Sequence, residues 1–202
     1  MTTTKHLGSF PKRHSHSDRG FSLIEVVISM AVLTVGMVSL LGVFGLAMAS
    51  TQTSQQDLIA KQLANESYES IVSARNTTQL GWDDIQNSGS STCTSGAASC
   101  GIFTSGLLPI YNAGADGIFG TSDDTGQQQL REPGADGIYG TSDDVYIPLT
   151  GYQRSITISP VLDANGNTVS TIRSVNITVQ YYTPQTRLPK TYVLSSYISE
   201  FQ

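Results

Sequence analysis

Two nearly identical Asp-rich segments lie in the middle of the chain. The sequence Gly-Ala-Asp-Gly-Ile-Phe-Gly-Thr-Ser-Asp-Asp begins at Gly114 and begins again at Gly134, with Tyr139 in place of Phe119. The exact spacing of the two copies indicates a duplicated unit. Each copy has three carboxylates and a Gly-rich backbone that can turn carbonyls inward, and calcium prefers such oxygen ligands. The alternative is a pair of ordinary turns, because Asp-Gly and Ser-Asp-Asp are common turn sequences.

Glu25 is a different kind of candidate, a single carboxylate just inside an apolar run that continues to about Met48. The next charged residue is Asp57, so the run is long enough to cross a hydrocarbon core of roughly 30 Å as a helix. An unpaired carboxylate there costs about 2.5 to 3.5 kcal/mol on insertion scales, so Glu25 is expected to have a partner. Four basic residues precede the run and predict a cytoplasmic N-terminus and an exported C-terminal part: Lys5, Lys12, Arg13 and Arg19.

Cys93 and Cys100 are the only cysteines of the chain, and they lie in a Ser/Thr/Gly-rich stretch beyond the apolar run. In an exported domain, two cysteines this close in sequence predict a disulfide that closes a small loop. Two free thiols are the alternative.

One long helix is predicted for residues 21–75. Proline is absent from residues 21–74, which predicts a membrane helix over 21–48 that continues as an amphipathic helix over 49–75. The inner stripe of the amphipathic half is expected to contain Leu58, Ile59, Leu63, Ile71 and Val72. Residues 76–144 are predicted to be a loop region that holds the cysteine pair and both Asp-rich copies.

Residues 145–202 have the alternation of an antiparallel sheet. Ile156 and Ile158 share one strand face, and Val175, Ile177 and Val179 share another. Asn165-Gly166 is the expected hairpin turn between them. The predicted class is therefore α+β, with the long helix packed on a C-terminal sheet.

The junction Arg19-Gly20-Phe21-Ser22-Leu23-Ile24-Glu25-Val26 resembles that of type IV prepilins, a family that includes the type II secretion pseudopilins. The resemblance implies a pilin fold and a leader over residues 1–20. It also implies that prepilin peptidase cleaves between Gly20 and Phe21 and methylates the new amine of Phe21. Glu25 would then pair with the N-terminus of a neighbouring subunit, and a buried carboxylate is tolerated when an opposite charge meets it.

The same resemblance implies partners and a location. The partners are other pilin or pseudopilin subunits and an inner-membrane assembly platform. The protein is expected in the bacterial inner membrane, with its C-terminal domain in the periplasm, and later in a pilus or pseudopilus.

The duplicated segment resembles the calcium loop of major pseudopilins. By that resemblance, Asp116, Asp123 and Asp124 bind one calcium ion, and a second ion is bound by Asp136, Asp143 and Asp144. The two copies form two calcium sites, one shared calcium site, or one calcium site and one copy that no longer binds the ion.

Two functions follow, and a structural subunit of a filament is the first. Many major pilins have a proline where this chain has Gly42, so a minor pilin or pseudopilin is favoured. The alternative is a membrane-tethered, calcium-dependent adhesion module that does not polymerise. A signal peptide ending at Ala47-Met48-Ala49 is a rival for the N-terminal segment, but the apolar run is about twice the usual 7 to 15 residues.

Charge and histidine content argue against a nucleic-acid-binding protein and against an enzyme. Residues 1–20 have a net charge of +3 and the remainder −8, so an extended nucleic-acid-binding surface is not indicated. His6, His14 and His16 all precede residue 21, which leaves the processed chain without the commonest general base and zinc ligand. An enzyme is therefore not expected.

Overall fold

The computed structural model describes residues 20–183 and 188–201. The predicted leader thus lies outside the described residues, apart from Gly20. The chain divides into two units, Met1–Leu46 and Ala47–Gln202. The elements in chain order are helix α1 (Leu23–Asn76), a 3-10 helix (Trp82–Asp84), and strands β1 (Leu108–Pro109), β2 (Tyr111–Asn112), β3 (Thr125–Gln127), β4 (Gln129–Glu132), β5 (Val145–Pro148), β6 (Tyr152–Leu162), β7 (Thr168–Tyr182) and β8 (Pro189–Ser199).

Helix α1 confirms the predicted long helix, with a start two residues later than expected. Its first turn forms where the carbonyl of Ser22 accepts hydrogen bonds from the backbone N–H groups of Glu25 and Val26. After the helix ends, the backbone N–H groups of Gln79 and Leu80 both donate hydrogen bonds to the carbonyl of Ala74. Thr78 adopts a positive φ of 60° in this turn, a conformation that prevents helical continuation.

Within the second unit, the buried face of α1 is built mainly from small residues. Leu63 and Ile71 are buried as predicted, whereas Leu58 is 56% exposed, so its predicted place in the inner stripe was wrong. Small side chains fill much of this buried face, which the expectation of a large apolar stripe did not include. The buried helix residues are Ala60, Leu63, Ala64, Ser67, Ile71 and Ala74.

The main sheet has the strand order β1-β6-β7-β8 and is antiparallel throughout. Its central strand β7 pairs Ile177 with Ile156 on one side and with Leu194 on the other. The face that carries Ile156, Val175 and Ile177 is buried, as the alternation predicted. The β6–β7 hairpin turns at Asp163–Asn167, where Gly166 has a φ of 83° that glycine adopts easily. The α+β fold, with a long helix on an antiparallel sheet, is thereby confirmed.

The region over residues 76–144 contains more structure than the loop that was predicted. Strands β1 to β4 lie inside it, and β5, predicted to belong to the main sheet, pairs with β4 instead. Each Asp-rich copy is flanked by its own short antiparallel pair, β2–β3 for the first and β4–β5 for the second. The duplicated sequence therefore folds as two successive hairpins.

The burial of α1 generates a stability prediction. Replacing Ile71, which is fully buried, with alanine should lower the free energy of unfolding by about 2 to 5 kcal/mol, because a cavity is left in the core. Leu58→Ala is the matched control on the exposed side of the same helix and should change stability by less than about 0.5 kcal/mol. Denaturant unfolding of the detergent-solubilised chain measures both; equal effects would contradict the assigned helix face.

Candidate functional site: the N-terminal segment and the two Asp-rich loops

The predicted processing site lies immediately before α1. Gly20, Phe21 and Ser22 precede the helix and are exposed, so the Gly20–Phe21 peptide bond lies outside regular structure. Glu25 lies in the first helical turn, where the unsatisfied N–H groups of a helix favour a negative charge. The backbone thus presents an exposed, non-helical segment followed at once by a helix with a carboxylate in its first turn.

The helix that follows Glu25 is apolar and uncovered within its own unit. Every residue from 20 to 46 is exposed. Among the described residues, α1 is the one helix long and apolar enough to cross a membrane. Large apolar side chains left in water would be unfavourable, so this segment requires a lipid or protein environment.

The two Asp-rich loops have the same internal geometry. In loop 1 (Gly114–Asp124), Asp116 Oδ1 accepts the Ile118 N–H at 2.8 Å, and Asp124 Oδ2 accepts the Gly120 N–H at 2.7 Å. In loop 2 (Gly134–Asp144), the equivalent bonds run from Ile138 to Asp136 at 2.8 Å and from Gly140 to Asp144 at 2.9 Å. The duplicated sequence therefore encodes a defined turn, and the carboxylates help to hold it.

The middle carboxylate of each loop accepts a hydroxyl group. Thr121 Oγ1 donates to Asp123 Oδ1 at 2.6 Å, and Thr141 Oγ1 donates to Asp143 Oδ1 at 2.7 Å. These hydrogen bonds stabilise the charged form and lower the pKa of both carboxyls. Both groups are therefore ionised at neutral pH.

Loop 1 is part of the core of the second unit. Ile118 is 1% exposed, and the backbone N–H of Phe119 donates to Ser70 Oγ on α1 at 3.4 Å. The Phe119 ring lies under the guanidinium of Arg154, at 4.7 Å from ring centre to Cζ. Arg154 is itself buried on β6 and lies beside Asp124, whose pKa is raised by burial.

Loop 2 has the same turn in a different environment. Ile138 is 59% exposed and Tyr139 is 64% exposed, although their counterparts in loop 1 pack inward. Arg131 on β4 forms an ion pair with Asp144 and lies over the ring of Tyr146. The Asp144 side chain is only 1% exposed, and its Oδ1 atom accepts no hydrogen bond.

Each predicted calcium loop has an arginine near its last carboxylate. Over residues 20–183 and 188–201, no three Asp, Glu, His or Cys side chains converge as a preformed metal-ligand group. In loop 1, the buried guanidinium of Arg154 lies near Asp124, and both residues line the same cavity. In loop 2, Asp144 pairs with Arg131 through Oδ2, and its buried Oδ1 atom has no hydrogen-bond partner.

A disulfide joins Cys93 and Cys100, with 5.8 Å between their Cα atoms. Asp83 fixes the adjoining turn by accepting the backbone N–H groups of Thr94 and Ser95 at 2.7 and 2.8 Å. Hydrogen bonds from these two residues hold the pKa of Asp83 far below its usual range. These hydrogen bonds hold the disulfide loop against the 3-10 helix that contains Asp83.

Arg173 on β7 extends this attachment to the sheet. Its guanidinium lies 4.1 Å from the Trp82 ring centre and donates to the carbonyl of Ile85 at 3.0 Å. Arg131, Arg154 and Arg173 make structural contacts that the sequence did not predict. An arginine in an alternating strand has the same pattern whether its head group is buried or solvated, so no sequence signal distinguished them.

The contrast between the loops predicts unequal effects of the same substitution. Ile118→Ser should lower the free energy of unfolding by at least about 3 kcal/mol, because it removes buried apolar volume and buries a hydroxyl. Ile138→Ser, at the equivalent exposed position, should change it by less than about 0.5 kcal/mol. Denaturant unfolding of the two variants tests this, and similar losses in both would show that loop 2 is also packed.

Comparison with known proteins identifies the N-terminal segment. Residues 15–41 match the family model of the prokaryotic N-terminal methylation motif. No curated protein and no solved structure matches the chain. The motif, together with a long helix packed on an antiparallel sheet, supports a type IV pilin-like protein that prepilin peptidase processes, and it indicates a structural role.

Proposed function

We propose that this chain is a structural subunit, a minor pilin or pseudopilin, of a type IV pilus-like filament. One observation carries the proposal: an apolar helix with every side chain from 20 to 46 exposed begins with a single carboxylate, directly after the methylation motif. An ordinary membrane anchor has no need of Glu25 in its first turn. A filament subunit needs this carboxylate, because Glu25 can set the register between neighbouring helices.

The assembly step depends on charge. Cleavage after Gly20 creates a positive amine on Phe21, and methylation leaves that amine able to carry its charge. When the helix leaves the lipid and packs among equivalent helices, Glu25 of one subunit meets the amine of the next. A carboxylate and an ammonium group in an apolar interior are stable only together, so subunits in the wrong register are penalised.

The partners follow from these steps. Prepilin peptidase acts at Gly20, an inner-membrane assembly platform moves the helix, and other subunits receive it. The C-terminal unit is exported because the basic residues lie before the apolar run.

Calcium binding belongs to this proposal as a separate part. We propose one calcium site, at loop 2, with Asp136, Asp143 and Asp144 as carboxylate ligands. The unpartnered Oδ1 atom of Asp144 supports it, because a buried acceptor without a donor is costly and a cation relieves that cost. The ion would tie the two ends of the loop together and stiffen the β4–β5 hairpin.

A second candidate function is a membrane-tethered binding module that does not polymerise. The exposure of Ile138 and Tyr139 favours it, because an exposed apolar tip is suited to contact with another molecule. In such a module α1 is only a membrane anchor, so Glu25 has no function.

Substitution of Glu25 separates the two functions. Glu25→Gln keeps the shape of the side chain but removes its charge, and breaking a buried ion pair costs about 3 to 5 kcal/mol. The sheared filament fraction should therefore fall at least tenfold, while the membrane fraction and the N-terminal sequence starting at Phe21 stay the same. Glu69→Gln, at an exposed position of the same helix, is the control. Normal filaments from the Glu25 variant would contradict the filament role and favour the tethered module.

The calcium site has its own measurement. With a dissociation constant of about 10⁻⁴ to 10⁻³ M, as in extracellular modules, 10 mM calcium should raise Tm by roughly 5 °C. Asp143→Asn should abolish both this shift and the heat of binding seen by calorimetry on the detergent-solubilised chain. Asp123→Asn, the equivalent change in loop 1, should leave them in place. Absence of heat and shift in the unchanged chain would remove the calcium proposal and leave the filament proposal untouched.

A further inference from the structure

A cavity of about 280 Å³ lies between loop 1, β1 and β6 in the second unit. Both signs of charge line it, because Arg154 on β6 and Asp124 at the end of loop 1 contribute to its walls. Thr121 and Ser122 of loop 1, together with Thr104, add hydroxyl groups. The cavity thus combines a few polar groups with apolar walls, which is typical of small-molecule sites. The apolar and aromatic part of the lining consists of Leu108, Pro109, Tyr111 and Ile156.

Backbone hydrogen bonds hold the walls of this cavity in place. The N–H of Thr104 donates to the carbonyl of Gly120 at 2.8 Å and attaches the segment before β1 to loop 1. Strand β1 pairs with β6, so that Leu108 lies opposite Arg154 in the main sheet. The cavity is therefore formed by the fold itself, as most small-molecule sites are.

The guanidinium of Arg154 is poorly compensated by protein groups. Arg154 is 5% exposed, and its Nη1 atom is buried without a hydrogen-bond partner. The ion pairs within residues 20–183 and 188–201 do not include it. Phe119 supports the head group, with its ring centre 4.7 Å from Cζ. A guanidinium has five N–H donors and unpaired buried donors are costly, so Arg154 favours a ligand that accepts hydrogen bonds.

Asp124 also keeps hydrogen-bonding capacity for a ligand. Its Oδ2 atom accepts the N–H of Gly120 at 2.7 Å, and its Oδ1 atom lies 3.3 Å from the Thr121 hydroxyl. A carboxylate can accept about four hydrogen bonds. In loop 2 the equivalent carboxylate, Asp144, is paired directly with Arg131. Loop 1 therefore differs from loop 2 in lining its cavity with a separate acceptor and a separate donor.

We propose that this cavity binds a single sugar ring, a neutral pyranose unit of a glycan. A hydroxyl group both donates and accepts hydrogen bonds, so neighbouring sugar hydroxyls can donate to Asp124 and accept from Arg154 at the same time. The apolar side chains of the lining suit the C–H groups of the ring. The cavity is slightly smaller than the usual 300 to 1,000 Å³ of ligand pockets, so it suits one ring and not several.

Charge favours a neutral ligand over an ion. Arg154 and Asp124 carry opposite charges, so a ligand of either sign is attracted by one group and repelled by the other. Glu66 on α1 adds a second negative charge near Arg154, which disfavours an anion such as phosphate further. A cation is repelled by the guanidinium, because water screens a buried charge only weakly.

The inference goes beyond the proposed filament function and does not depend on it. The cavity is lined by residues of the second unit, and the carboxylates of loop 2 are not among them. Sugar binding is therefore expected in the presence of EDTA, whatever the outcome for the calcium site at loop 2.

Saturation-transfer NMR on the full chain tests the proposal, in lauryldimethylamine oxide because this detergent has no sugar head group. The probes are the methyl pyranosides of glucose, galactose and mannose, and N-acetylglucosamine, each titrated with EDTA present. At least one should bind with a Kd of about 1 to 10 mM, as expected for a ligand of about twelve non-hydrogen atoms. Glycine and inorganic phosphate, at ten times the sugar concentration, should not displace it.

Substitutions in the two loops locate the binding. Ser122→Trp places a large ring at the edge of the cavity and should weaken binding at least tenfold, with Tm unchanged because Ser122 is exposed. Ser142→Trp, at the equivalent exposed position of loop 2, is the matched control and should leave the Kd unchanged. Thr104→Val keeps the side-chain shape, removes one hydroxyl and should weaken binding about three- to tenfold.

Three results would overturn the inference. The first is the absence of saturation transfer from all four sugars at 50 mM. The second is displacement of a bound sugar by glycine or phosphate, which would show that the cavity selects a charged ligand. The third is an equal loss of affinity in Ser122→Trp and Ser142→Trp, which would place the binding outside the cavity. None of these results bears on filament formation, which is measured separately.

Discussion

The uncovered apolar helix that follows Phe21 is the constraint on which the rest of this protein depends. Its side chains from 20 to 46 are exposed, and no other described residue of its unit covers them. Apolar area of this extent is stable only in lipid or among other apolar helices. Glu25 adds a second requirement, because a carboxylate in such surroundings needs an opposite charge. Lipid meets the first requirement, whereas the second requires a cation beside Glu25.

The second unit uses the continuation of the same helix for a different purpose. Small residues such as Ala60, Ala64 and Ser67 form the buried face, and the sheet packs on them through Ile156, Val175 and Ile177. Buried arginines then attach the intervening region to the sheet, Arg173 through Trp82 and Arg154 through Phe119. The second part of α1 thus forms one layer of the folded second unit.

The two Asp-rich loops show how one sequence serves two roles. Their hydrogen bonds are equivalent, so the turn itself is fixed locally by Asp, Gly and Thr. The neighbours differ: loop 1 contacts α1 and Arg154, whereas loop 2 contacts Arg131 on its own strand β4 and leaves Ile138 exposed. One copy therefore packs into the core, and the other keeps its apolar tip exposed.

The sequence by itself determined the parts of this protein that depend on neighbours along the chain. The absence of proline and the apolar run specified α1, the alternation specified β6, β7 and β8, and the junction at Gly20 and Phe21 specified the methylation motif. These features are periodic or contiguous, so local physical chemistry is enough to recognise them.

Tertiary structure alone decided the features that depend on contacts between distant residues. It left Leu58 exposed and buried Ala60 and Ala64. It also paired β5 with β4 instead of with the main sheet. It also buried Ile118 and exposed Ile138, although the two lie in nearly identical segments. Burial is set by what packs against a residue and not by the residue's own neighbours in sequence, so two copies of one motif acquire different roles only in the folded chain.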